Sequence, residues 1–126
     1  DIEKENFFSP IIEEDSFEGP YSVILRKHEN RLVFDVRQTT GEREESINVP
    51  MSAFRNIIKD YFIICDSYFK AVKGATPQKV ESIDMGRRGI HNEGAELLQK
   101  VLKNKVEMDF KTARRLFTLI CVLHIK

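Results

Sequence analysis

At Pro50 the hydrophobic period of this chain changes from two residues to about 3.6, and that switch governs what it can fold into. Before it, Tyr21 to Lys27 alternates, with Tyr21, Val23 and Leu25 on one side. His28-Glu29-Asn30 makes a tight turn, and Arg31 to Arg37 alternates again through Leu32, Phe34 and Val36. Thr39-Thr40-Gly41-Glu42 makes a second turn before a short third strand, Ser46 to Val49. Short strands joined by short turns form an antiparallel meander, because a parallel pair needs a long crossover. Only one face of that sheet is apolar, so helices must cover it. After the switch, Phe54, Ile57, Ile58, Tyr61, Ile64, Cys65, Tyr68, Phe69 and Val72 form one arc, with Ser52 as N-cap and Gly74 as the end. A second helix opens at Thr76-Pro77 and runs to about Asn104. Its buried stripe is Val80, Ile83, Ile90, Leu97, Leu98 and Val101. A third, capped by Asp109, spans Phe110 to His124 and is apolar nearly all round from Leu116, as suits a central helix. The expected fold is α+β: a three-stranded antiparallel β-meander followed by three helices packed on one face.

The 126 residues suffice for one domain, and 41% hydrophobic with 32% charged residues is an ordinary globular balance. The longest apolar run, Leu116 to Leu123 broken by Thr118, falls far short of a membrane span. Cys65 and Cys121 lie far apart on apolar faces, which reads as two free buried thiols in a reducing compartment. With no signal-peptide pattern at the start, the expected location is cytoplasmic. Charge is unevenly spread. Residues 1–50 hold six Lys/Arg against twelve Asp/Glu, and residues 51–126 hold fourteen against eight, so net charge changes from −6 to +6. The division expected is an acidic N-terminal arm, 1–20, and a single α+β domain, 21–126. Overall neutrality argues against a dedicated DNA-binding protein.

One segment works against its own pattern. Gly86, Gly89 and Gly94 interrupt the second helix, each costing about 1 kcal/mol relative to alanine. Arg87 falls on the stripe that holds Val80, Ile83 and Leu98, with Asp84 and His91 beside it at spacings of three and four. Three arrangements fit. An internal Asp84–Arg87–His91 network could fix helix packing, since a buried arginine must be paired. A cleft could present Arg87, Arg88, His91 and Asn92 to an anion or a partner's carboxylate. Alternatively, the helix could break at Gly86–Gly89 and expose Arg87 and Arg88 on a loop, in the form of the nucleic-acid clamp of KH domains. A second pair, Arg114-Arg115, opens the last helix; near Arg87 it would complete an anion pocket, and otherwise it is a solvated charge pair.

Catalytic signals are sparse. No Asp, Glu or His stands four residues from His91, as a helical metal pair requires, so no metal or cofactor is implied. No nucleophile motif or P-loop is present. What chemistry the residues allow is a small hydrolase or transferase with Asp84 or Glu93 and His91 as acid–base partners and Arg87 holding an oxyanion.

Several strings resemble a known family: Leu32-Val33-Phe34-Asp35, Ile58-Lys59-Asp60-Tyr61-Phe62, Ile64-Cys65-Asp66-Ser67-Tyr68, Ile83 to Gly89, His91-Asn92-Glu93-Gly94 and Thr112 to His124. They are similar to uncharacterised protein family 0262, over about Ile12 to His124. The resemblance implies a cytosolic protein of alphaproteobacterial type and no assigned activity, so no functional residue carries over. The leading reading from the residues is a non-enzymatic binding or regulatory module. It would take an anionic small molecule or an acidic protein surface through Arg87, Arg88, His91, Asn92, Arg114 and Arg115. RNA binding through Gly86–Gly89 is the weakest alternative, and a homo-oligomer is a further partner the sequence allows.

Overall fold

The structure, a computed structural model, describes residues 8–10, 19–39 and 43–125. Most of the acidic N-terminal stretch, and Thr40, Gly41 and Glu42 of the second turn, lie outside these residues. Three strands, β2 (Tyr21–His28), β3 (Arg31–Gln38) and β4 (Glu44–Pro50), form the antiparallel meander in the order β2-β3-β4. Its register pairs Val23 with Val36, Leu25 with Phe34, Phe34 with Ile47 and Leu32 with Val49, so the apolar residues of all three strands share one face. The two-residue turn after β2 holds Glu29 at φ 57°, a left-handed conformation uncommon for a side chain with a β-carbon.

Three helices follow and cover that face: α1 (Arg55–Gly74), α2 (Pro77–Val101) and α3 (Phe110–Ile125). Leu32, Phe34 and Val36 of the sheet join Phe54, Ile58, Leu98, Leu102, Phe117 and Ile120 in one buried core. The fold class read from the sequence is the one observed. Two caps also stand as expected: Thr76 Oγ1 accepts from the Lys79 amide at 3.3 Å, and Asp109 Oδ1 from the Thr112 amide at 3.0 Å.

Other details differ. Ser52 does not cap α1, because Met51–Phe54 forms a 3₁₀ turn and the α-helix starts at Arg55. The α2 helix ends at Val101 rather than Asn104, since β5 (Val106–Met108) begins soon after. That strand pairs antiparallel with β1 (Phe8–Pro10), placing Phe8 opposite Met108. Three residues are too few to register as a period, so this ribbon is invisible in the hydrophobic pattern. The apolar arc of α1 is wider than its buried face. Phe69 and Val72 are exposed because the distal halves of α1 and α2 pack mainly on each other. Nor is α3 central: Leu119, Val122 and Ile125 face outward.

The glycines of α2 have separate explanations. A β-carbon at Gly94 would lie 2.4–2.5 Å from the ring of fully buried Phe117, and one at Gly86 would meet Ile64 Cδ1 at 2.9 Å. At Gly89 it would meet nothing within 4 Å. Gly94→Ala is therefore expected to destabilise the protein by about 1–3 kcal/mol through overpacking. Gly89→Ala should stabilise it by roughly 0.5–1 kcal/mol through helix propensity. Urea denaturation of the two variants checks both signs.

Candidate functional site

The α2 helix runs unbroken through Gly86-Arg87-Arg88-Gly89. The loop reading of this segment, with its resemblance to a nucleic-acid clamp, is thereby corrected: the propensity cost of the glycines is outweighed by packing around Gly86 and Gly94. Helical geometry then puts Arg87, Arg88, His91 and Asn92 on the flank of α2 that faces Lys111, Arg114, Arg115 and Thr118 of α3. Tyr61 of α1 completes the wall of a pocket of about 630 Å³.

Asp84 lies one turn behind the pocket. Arg87 donates to Asp84 Oδ1 from Nε at 3.2 Å and Nη2 at 2.5 Å, while Arg88 Nε pairs with Oδ2 at 3.0 Å. The Arg87 guanidinium also lies over the Tyr68 ring, 4.4 Å from its centroid. With its side chain 30% exposed, Arg87 is neither sealed in the core nor loose in solvent. The hydrogen bond from Arg87 holds the Asp84 carboxyl below its usual range and correspondingly raises the arginine. Asp84 thus fixes two arginines at the rim and does not itself line the wall.

His91 sits between two rings, Tyr61 and Phe117, each 5.3 Å away in an edge-on arrangement. Arg114 Nε donates to His91 Nδ1 at 3.3 Å. An arginine N–H can only donate, so Nδ1 carries the lone pair and the ring proton is on Nε2. Nε2–H then donates to Thr118 Oγ1 at 2.8 Å, and the hydroxyl donates to the Arg114 carbonyl at 3.1 Å. Burial is the first cause lowering the His91 pKa, followed by the charges of Arg114 and Arg87. This imidazole is therefore neutral near pH 7, and it gives its proton toward Thr118. It cannot accept the hydroxyl's proton at the same nitrogen, so the pair is not set up as nucleophile and base.

The expected Asp84–Arg87–His91 network is thus only half present: Asp84 pairs with Arg87, and His91 turns to α3. Arg114 and Arg115 do meet Arg87 and Arg88 across one pocket, as the anion-pocket alternative required. Glu93 is exposed and contributes nothing to the wall, since two positions along a helix turn it away from His91. The acid–base alternative accordingly lacks its carboxylate, since neither Asp84 nor Glu93 lines the pocket with His91. Sequence reasoning missed Tyr61, Lys111 and Thr118. Thr118 had a signal, as the single polar residue in the Leu116–Leu123 run. Among the described residues the wall carries five cationic side chains, a neutral imidazole and no carboxylate. Asn92 Oδ1 is buried there without a hydrogen-bond partner among the described residues.

Among the described residues no group of three His, Cys, Asp or Glu side chains could hold a metal ion. No helix there is long and apolar enough to cross a membrane. Cys65 and Cys121 are free thiols, and burial pushes Cys121 up to about 12, where it is unreactive near neutral pH.

Fold and pocket together define a small α+β protein with a basic cleft between two helices. The chain belongs to Uncharacterised protein family (UPF0262), which matches residues 1–126. It is 51% identical over 126 residues to a UPF0262 protein of Paramagnetospirillum magneticum, covering 100% of this chain and 78% of the relative. A UPF0262 protein of Hyphomonas neptunium is 53% identical over 124 residues, covering 98% and 75%. One from Rhodopseudomonas palustris is 52% identical over 126 residues, covering 100% and 76%. These relatives carry no functional name. No solved structure matches the chain.

His91 gives a pH prediction whose sign follows from linkage. Its pKa is lowered from 6.5 by folding, so below that value the unfolded chain binds a proton that the folded protein resists. Its contribution is complete above pH 6.5 and declines as pH falls through the window toward the depressed folded value. His91→Gln, which keeps a donor and an acceptor, should reduce the loss in Tm between pH 7.5 and pH 5.5. An unchanged pH dependence in differential scanning calorimetry counts against a desolvated neutral His91.

Proposed function

We propose that this protein is a non-enzymatic binding or regulatory module whose ligand is a small anion bearing phosphate or carboxylate groups. The observation that carries the reading is the wall of the α2–α3 pocket, where Arg87, Arg88, Arg114 and Arg115 converge and no carboxylate lines the cavity among the described residues, Asp84 lying one turn behind it. Like charges held together in a concave site raise the local potential, which favours an anion entering it. Arg87 and Arg88 are held by Asp84 and Tyr68, so their positions are largely set before a ligand arrives. Arginine forks suit the planar oxygens of carboxylate and phosphate. The pocket's concavity favours a small molecule over a flat acidic protein surface, which is the second reading. Against a hydrolase using Asp84 or Glu93 stand the position of both carboxylates off the pocket wall and the orientation of the His91 proton. Against nucleic acid stand the continuous helix and the neutral overall charge. A cytoplasmic location fits the two free thiols.

Isothermal titration with phosphate, pyrophosphate and citrate, in parallel with a thermal-shift panel, tests this proposal. At least one anion is expected to bind and raise the Tm, with affinity falling as salt is added. Arg87→Met or Arg114→Gln should each weaken binding about tenfold or more, the usual scale of a charge-assisted hydrogen bond. Either variant should retain a cooperative thermal transition. Absence of a shift with every anion, or unfolding of both variants, would overturn the reading and make the cluster a packing device.

A further inference from the structure

The basic pocket has a neighbour of a different character. On the other flank of α3, a groove of about 580 Å³ is lined by Phe8 of β1, Tyr21 and Val23 of β2, and Leu116 and Leu119 of α3. Arg115 borders both cavities. The helix explains why. At about 100° per residue, Lys111, Arg114 and Thr118 fall in one stripe, while Thr112, Leu116 and Leu119 fall in an adjacent one. Arg115 lies angularly between them, so the outer surface of α3 passes from cationic to apolar across a single side chain. Leu119 is 50% exposed in that groove, an apolar surface left open beside the arginines of the basic pocket.

Resting on the anion-binding reading above, we propose that the two cavities form one site for a single-chain amphiphilic anion. The head group lies among Arg87, Arg114 and Arg115, and an alkyl or acyl tail runs past Arg115 over Leu119 toward Tyr21 and Val23. An anion without a tail would leave the groove open, and an uncharged chain would make no ion pair with Arg114 or Arg115. The juxtaposition fits a molecule with both parts. The order along α3 fixes its direction, with the head on the α2 side and the tail on the β2 side. Concave cavities of about 630 and 580 Å³ suit one head group and one chain, so the occupant proposed is a free monomer.

The experiment is a titration of the purified protein with methyl, butyl, hexyl and octyl phosphate, each below its critical micelle concentration. Affinity is expected to rise with chain length, by up to about fourfold for each methylene buried. Leu119→Ser, at a half-exposed position, should flatten that rise and leave the affinity for methyl phosphate within about twofold. Arg114→Gln should weaken every member of the series alike. A flat series overturns the joint site and leaves the anion pocket standing, as does a chain-length gain that survives Leu119→Ser. Octanol binding as tightly as octyl phosphate also overturns it, because the head would then be irrelevant. Anionic vesicles binding in preference to octyl phosphate would replace the free monomer with a membrane surface. If methyl and octyl phosphate both fail to bind, the anion-binding reading itself fails.

Discussion

The close approach of α3 to α2 at Gly94 governs the rest of the molecule's chemistry. Phe117 occupies the volume that any β-carbon there would claim, so its ring packs directly on the α2 backbone at Gly94. The same ring forms one wall of the slot that holds His91, with Tyr61 as the other. Held at that depth, the imidazole reaches Thr118 and receives a hydrogen bond from Arg114. The distance between helices therefore determines the ionisation state of His91 and the placement of Arg114. A wider separation would admit water, weaken both bonds and let the arginine swing free.

Concentrating positive charge on one wall opposes folding, and the protein limits that opposition in two ways. Asp84 accepts hydrogen bonds from two arginines, which restrains them without entering the cavity they line. Exposure does the remainder, because Arg88, Lys111, Arg114 and Arg115 all remain in contact with solvent, where repulsion is screened. A neutral His91 adds no further charge. The contrast with the outer face of the sheet is instructive. There Asp35 accepts from Arg26 and from Ser46, each at 2.7 Å, and a compensated surface results. The two faces use similar residues to opposite electrostatic effect, one balanced and one left positive.

Much of this was legible in the chain before its structure was known. The meander and the three helices follow from period alone, and Thr76 and Asp109 announced two helix starts. Arg87 stood out because a charge on an apolar stripe is a local contradiction, and such contradictions gather at functional sites. What could not be read was tertiary. Gly94 looks like a helix defect until Phe117 is seen against it. Thr118 and Lys111 belong to the pocket through the angle at which α3 crosses α2, a quantity absent from either helix's own pattern. Tyr61 seemed an ordinary member of an apolar arc, yet it lines the pocket and flanks its imidazole. The exposed Phe69 and Val72 show the converse, in that an apolar arc records capacity for burial, not its completion.

The ribbon of β1 with β5 ties residues 100 positions apart, Phe8 to Met108, and so carries a kinetic consequence. Closing so long a loop costs chain entropy that no local contact repays, and such pairings form late in folding. The apolar groove uses Phe8 from that ribbon, and the basic pocket uses α3, the last helix of the described chain. On a ribosome, the sheet and the α1–α2 hairpin would emerge and collapse first, with the apolar flank of α2 still uncovered. Only when α3 follows would Phe117 seal against Gly94. Ligand-binding ability would then be acquired in one late step together with the completed core, so a truncated or unfinished chain would have neither.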